Sequence, residues 1–232
     1  MGIDESIFEH MRNGISPATI RFYRWQPGAV SIGRFQSMEK EVNIKECGRL
    51  GVNYIRRITG GGAVYHDHNG EITYSIIAPE ILFRKGIRES YRDICNYVVK
   101  GLSELGIKAD FVPINDIVVD GKKISGNAQT RKEGVLLQHG TVLYDLNVRQ
   151  MFTLLNVNKE KISDKMIKNV EERVTCVSRY KDIGIDALYS ALLKGFTEGK
   201  EHKIGKLSES EMIRAKELSD KVYRTKEWNF SR

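Results

Sequence analysis

Cysteine is scarce. The 232-residue chain has three, Cys47, Cys95 and Cys176, far apart and odd in number. That argues against a disulfide framework and offers no metal-site spacing. No stretch approaches the roughly 20 apolar residues that a membrane-spanning helix needs. The N-terminus, MGIDESIFEHMRNG, lacks the basic-then-apolar order of an export signal. Internal repeats, low-complexity linkers and zinc-finger or RNA-binding signatures are missing as well. The expectation is a cytoplasmic protein that partners neither nucleic acid nor membrane.

What is present suits a single domain over residues 1–232. The hydrophobic fraction of 41% is enough for a real core, and the charged fraction of 29% argues against life in a bilayer. A net charge of +7 fits an acidic partner or a phosphate-bearing ligand, or simply a lysine-rich solvated surface. Cys95 and Cys47 fall within apolar patterns and read as packing residues.

Strand and helix patterns alternate. Residues 3–12 read as a helix with Ile3, Ile7 and Met11 on one face. Residues 20–25 and 29–32 read as strands, broken at Pro27-Gly28. Asn43-x-x-Glu46 resembles a capping box, and Gly51 suits the end of that short helix. Residues 52–57 and 72–77 read as strands flanking a glycine loop. Ser90-x-x-Asp93 opens the clearest helix, with Tyr91, Ile94, Cys95, Val98, Leu102 and Leu105 at helical spacing. Asp120-Gly121 between two apolar runs suits a type I′ hairpin. Residues 134–138 and 141–146 read as two further strands, and 148–155, 185–197 and 208–220 as helices. The class is α/β (α+β), with a mixed, largely antiparallel sheet flanked by helices.

Two stretches carry chemistry. The first is Arg56-Arg57-Ile58-Thr59-Gly60-Gly61-Gly62-Ala63-Val64-Tyr65-His66-Asp67. Three successive glycines let backbone approach a ligand, and their N–H groups can form an anion-binding concavity. Two preceding arginines add charge suited to phosphate. The pattern is neither a Walker A loop nor a GxGxxG dinucleotide fingerprint. A plain turn between strands is the competing reading, and His66 reads as structural. The second stretch is Asn115-Asp116 followed by Gly121-Lys122-Lys123-Ile124-Ser125-Gly126-Asn127-Ala128-Gln129. A lysine near a rigid hairpin turn can stabilise developing negative charge, and Asp116 can hold Mg²⁺. An ordinary polar hairpin is the equally weighted alternative.

RRxTGGGAVYHD, the Asn115-Asp116 pair, GKKISGNAQ and Gln138-His139-Gly140, in this order, resemble the motifs of lipoate–protein ligases. That family shares its fold with biotin–protein ligases and class II aminoacyl-tRNA synthetase catalytic domains. The resemblance runs from about Ile3 to Trp228. It implies Lys123 as the catalytic residue and Asp116 as the Mg²⁺ ligand. It implies a substrate and nucleotide site of Arg57, Thr59, Gly60, Gly61, Gly62, Ala63, Tyr65, Asn115, Ser125, Gly126 and His139. His139 suits a pocket wall or a satisfied core histidine equally. The implied activity converts lipoate and ATP, with Mg²⁺, to lipoyl-AMP and transfers the lipoyl group to a lysine of a carrier. The carriers are lipoyl domains of 2-oxoacid dehydrogenase complexes or the glycine-cleavage H protein. The chain stops after Glu227-Trp228-Asn229, so the resemblance also implies an accessory C-terminal domain carried on a separate ligase chain.

The same superfamily holds octanoyl and lipoyl transferases that act through a cysteine thioester, and this is the alternative activity. Cysteine suits it because the thiolate is intrinsically nucleophilic. Asp110 to Asp116 contains no cysteine, and Cys176 reads as packing. Two stretches nevertheless look closer to the transferases, namely Glu71-Ile72-Thr73-Tyr74-Ser75 and Gln129-Thr130-Arg131.

Overall fold

A computed structural model describes residues 1–83, 86–156 and 164–232. Among the described residues, nine strands form two sheets. The larger has the order β1-β5-β9-β8-β7-β6: β1 (Thr19–Tyr23), β5 (Glu71–Pro79), β9 (Val135–Leu143), β8 (Lys122–Lys132), β7 (Asp116–Val119) and β6 (Asp110–Val112). All of its pairings are antiparallel. The smaller sheet places β2 (Ala29–Ile32) between β3 (Asn53–Arg56), which runs parallel to it, and β4 (Val64–His66), which runs antiparallel. The expected mixed, largely antiparallel arrangement is what the chain adopts.

Helices cover both faces of the large sheet. Alternate residues of β5 (Ile72, Tyr74, Ile76 and Ala78) join a core with Ile94, Val98 and Leu102 of α4 (Ile87–Glu104) and Leu188, Leu192 and Phe196 of α7 (Ile185–Thr197). Ile77 on the opposite face packs with Val135, Leu137 and Ile7, Phe8 and Met11 of α1 (Gly2–Arg12). This is the strand period of two and the helix period of 3.6 meeting on each side. The small sheet has its own core. Val30 and Ile32 pack on Met38 of α2 (Met38–Glu41), Cys47 of α3 (Ile44–Leu50) and Leu154 of α5 (Val148–Leu154). Among the described residues no helix is long and apolar enough to cross a membrane.

Local signals hold at several ends. Asn43 Oδ1 accepts from Glu46 N at 3.4 Å, and Gly51 adopts φ 65° at the helix end. Asp120 and Gly121 have φ 50° and 73°, as a type I′ turn requires. Two boundaries differ from expectation. Helix α4 starts at Ile87 instead of Ser90, because the Ser90 hydroxyl turns inward and accepts from Arg131 Nη2 at 2.5 Å. The two strands expected over 134–146 are one continuous β9. The remaining helices are α6 (Asp164–Arg173), α8 (Glu209–Leu218), which ends in a π turn at Ser219–Tyr223, and α9 (Lys226–Asn229).

Where α4 crosses α7, two glycines face each other. A Cβ on Gly195 would overlap Gly101 N and Tyr97 O, and one on Gly101 would lie 2.9 Å from Leu192 Cα. These obstacles are backbone, which cannot swing aside. Gly195→Ala is therefore expected to destabilise by about 2–3 kcal/mol, as overpacking does. At this chain length that lowers the thermal midpoint by roughly 4–12 °C, measurable by circular dichroism. An unchanged midpoint would show that the helices move apart at no cost.

Candidate functional site

The two sheets meet at a cavity of about 330 Å³, at the small end of the roughly 300–1,000 Å³ range of ligand pockets. Trp25, Val64, Tyr65, Leu143, Met151 and Leu155 give it an apolar interior. Its polar groups come from opposite sides. Arg57, Gly61, Gly62, Ala63 and Tyr65 arrive from the glycine loop and small sheet, and Asn115, Lys123, Gly126 and His139 from the large sheet. These nine residues, singled out from sequence, line one cavity. Thr59, Gly60, Ser125 and Asp116 are not among its walls.

Lys123 stands at the start of β8, next to the turn. Its Nζ lies 2.7 Å from Asp116 Oδ1, and both side chains are partly exposed. The register between β7 and β8 shifts at Ile117/Val118, a bulge of the kind that re-aims side chains. A Cβ on Gly126 would lie 2.9 Å from Lys123 Nζ, so glycine at that position leaves room for the lysine. The main chain of Lys123 is fixed from the far side, where its carbonyl accepts from Thr175 N at 2.8 Å. Lys122 is not a wall of the cavity.

Asn127, which the sequence reading left unassigned, holds the neighbouring strands together. Asn127 Nδ2 donates to Asn115 O at 2.9 Å, and Asn115 Nδ2 donates back to Asn127 O at 2.5 Å. Asn127 Oδ1 accepts from the buried Tyr74 hydroxyl at 2.6 Å. A Cβ on Gly140 would overlap that same oxygen, which explains glycine after His139. Ser125 is fully buried behind this group.

Thr59 ties the glycine loop to the large sheet. Its Oγ1 lies 2.7 Å from His139 Nε2, and both residues are buried. Burial pushes the His139 imidazole down to about 3, with Asp4 opposing and Arg57 adding to the shift. His139 is thus a neutral, bonded histidine that also forms cavity wall. An unfolded His139 binds a proton below about pH 6.5, and the folded one does so only near 3. The unfolded state then holds more protons across that window, so stability falls as pH drops from 6.5 toward 3. The slope approaches about 1.4 kcal/mol per pH unit for one proton. Urea titrations at pH 7, 6 and 5 should show this decline, and His139→Gln should flatten it.

The two arginines before the loop have separate duties. Arg57 is buried and its guanidinium pKa is lowered to about 10 by that burial, so it stays charged at neutral pH. Arg56 faces away from the cavity, against the expectation that both arginines serve a phosphate. Arg56 is fully buried and donates to the carbonyls of Gly33, Arg34, Gln36, Trp228 and Asn229. Gly33, unassigned from sequence, lets β2 pass the loop, since a Cβ there would overlap Gly61 O.

None of the three cysteines lines the cavity. All are buried, and burial pushes Cys47 up to about 11 and Cys95 up to about 12. Cys176 Sγ sits 3.4 Å from Ser178 Oγ. The Mg²⁺ role expected of Asp116 finds little support in the donor set. Its Oδ1 faces the Lys123 cation, and among the described residues no three His, Cys, Asp or Glu side chains come together as metal ligands.

Comparison with known proteins corrects the expected activity. A protein named octanoyltransferase LipM from Brevibacillus brevis is 34% identical, over all of this chain and 94% of its own length. LipM of Clostridioides difficile is 35% identical with the same coverage. These full-length relatives are transferases, which overturns the expectation of an ATP-dependent ligase using ATP and Mg²⁺. The accessory ligase chain was an expectation of that same reading. Among solved structures, the bipartite lipoate–protein ligase of Thermoplasma acidophilum superposes with a TM-score of 0.90 at 34% identity, covering 99% of this chain and 89% of that one. Residues 1–197 match the lipoyl protein ligase A/B catalytic domain. The chain belongs to the lipoyl protein ligase A/B catalytic-domain family.

Proposed function

We propose that this chain is an acyltransferase that moves an octanoyl-type group from a thioester donor to the lysine of a lipoyl carrier domain, without ATP. The observation that carries the reading is the Lys123–Asp116 pair set at an apolar cavity of about 330 Å³. The activity named for the full-length relatives supports it. The apolar walls take the acyl chain. Lys123 then stands where the acyl carbonyl is attacked, and its charge stabilises the oxyanion of the tetrahedral intermediate. Asp116 fixes the ammonium and offsets its charge until the acyl group arrives.

With no thiol on the cavity wall, transfer is direct. The carrier amine adds to the donor carbonyl, the C–S bond breaks, and the departing thiolate takes up the proton released by the amine. The carrier ends with an amide and the donor with a free thiol. The test is mass spectrometry of a lipoyl domain incubated with the chain and an octanoyl thioester of a carrier protein, with no ATP present. An octanoyl mass gain on the domain is expected, and it should persist in a Cys176→Ser variant. A gain that appears only with free octanoate and ATP would refute transfer. An octanoyl adduct on Cys176 would replace direct transfer by a thioester relay.

A further inference from the structure

Behind the glycine loop lies a chain of buried polar groups that neither Lys123 nor Asp116 touches. Glu71 opens β5 and is 1% exposed, His66 closes β4 at 5%, Ser31 lies on β2 at 1%, and Arg57 follows β3 at 5%. They join in that order. His66 Nδ1 is 2.7 Å from Glu71 Oε1, and His66 Nε2 is 2.8 Å from Ser31 Oγ. Arg57 Nη1 donates to Ser31 Oγ at 3.1 Å and to Ser31 O at 3.2 Å. Trp25 stacks on the imidazole at 4.2 Å, and Ser31, Arg57 and His66 all border the cavity.

The direction of these bonds follows from chemistry. A guanidinium only donates and a carboxylate only accepts. Ser31 Oγ therefore accepts from Arg57, and Glu71 Oε1 accepts from His66 Nδ1–H. Arg57 and Glu71 are thus connected through Ser31 and His66, which lets each lie out of water.

The other end of the guanidinium reaches the loop. Arg57 Nη2 donates to Gly60 O and Gly62 O, each at 2.8 Å. In a trans peptide the C=O and N–H point opposite ways. Drawing these two carbonyls onto Arg57 turns the N–H groups of Gly61 and Ala63 away from it. Neither N–H has a protein partner among the described residues. Gly61 also takes φ 98°, which favours glycine.

We propose that Glu71, His66 and Ser31 are positioning residues. Through Arg57 they hold the glycine loop so that the Gly61 and Ala63 N–H groups form a two-donor site for a carbonyl or carboxylate oxygen. That the oxygen belongs to the acyl group rests on the acyltransfer reading; the positioning of the loop does not. Lysine cannot replace Arg57, because a point ammonium does not span two carbonyls and a serine.

The test is the backbone ¹⁵N order parameter of the ligand-free chain, with Ser31→Ala, Glu71→Gln and Arg57→Lys. Each should lower the value at residues 61–63 from about 0.85, typical of rigid backbone, to below about 0.6, while β5 and β9 keep theirs. Ser31→Ala added to Arg57→Lys should give no further drop, since both act through one guanidinium. Ser31→Thr should keep the parent value. Unchanged loop order parameters overturn the proposal, as does an additive double variant or a drop spread through β5 and β9. An octanoyl ester found on Ser31 during turnover would make it a nucleophile and overturn the positioning role. Failure of ATP-free transfer with the order-parameter pattern intact would remove the acyltransfer reading alone.

Discussion

Replacing Lys123 by alanine is expected to lower the rate of acyl transfer by about 10²–10³-fold, the usual loss when one fixed donor to an oxyanion is removed. The size follows from its situation. Lys123 is the one lysine on the cavity wall among the described residues, and its carboxylate partner holds it in place before substrate arrives. Lys123→Ala also leaves Asp116 beside an apolar cavity with no counter-charge, so binding of a negatively charged donor should weaken too. Lys122→Ala is the control. It shares the hairpin and the charge but not the wall, and its rate should stay within about threefold of the parent, since a half-buried charge away from the cavity contributes little to the reaction. Measuring kcat and KM for both variants checks the pair. Equal losses would show that the hairpin supplies bulk positive charge and no directed group.

Replacing Arg56 by alanine should cost stability far more than chemistry. Five main-chain carbonyls converge on that one guanidinium. Each buried acceptor left without a donor costs about 1–3 kcal/mol. Water entering the gap recovers part of this, so a net loss of about 4 kcal/mol is expected. For a chain of this size that is a fall of on the order of 10 °C in Tm. Trp228 loses the bond from Arg56 Nε to its carbonyl, although its indole N–H still donates to the main-chain oxygen of residue 56 at 2.9 Å. Arg56→Lys should recover only part of the stability, as three donors on a point charge cannot satisfy five scattered oxygens. Thermal melts of the two variants decide this. A melt near the parent value for Arg56→Ala would mean the carbonyls are satisfied elsewhere.

Sequence periodicity located elements well where one face does one job. Ile94, Val98 and Leu102 announce α4 because they pack in one direction only. It misplaced the start of α4 because Ser90 serves a tertiary contact with Arg131, and a cap-forming residue looks the same in both uses. It cut β9 in two because Gly140 interrupts the apolar alternation, although glycine is there to admit Asn127 Oδ1. The loop and the lysine hairpin were legible because glycine runs and paired lysines are rare enough to stand out. Arg56 and Arg57, adjacent and alike in composition, were told apart only by the family resemblance, which singled out Arg57. Their fates depend on which carbonyls lie nearby, and those belong to residues up to 173 positions away. Glu71, His66 and Ser31 were opaque for the same reason, being ordinary polar residues until three strands bring them into line.

The two sheets have separate hydrophobic cores, and the cavity lies on the seam between them. Much of the acyl-facing apolar surface hangs on the small sheet, while the lysine hangs on the large one. Such a layout lets selection tune which chain length is accepted without disturbing how the carbonyl is attacked. It also suggests an engineering route. Exchanging residues 29–66, which contain all three strands of the small sheet and two of its helices, together with the wall residues Trp25, Met151 and Leu155, should graft the acyl preference of one family member onto the chemistry of another. The junctions fall at Gly28 and Asp67. The constraint on such a chimera is the set of buried bonds that leave the exchanged segment, Thr59 to His139, His66 to Glu71 and Arg56 to Trp228 and Asn229, which both donors would have to share.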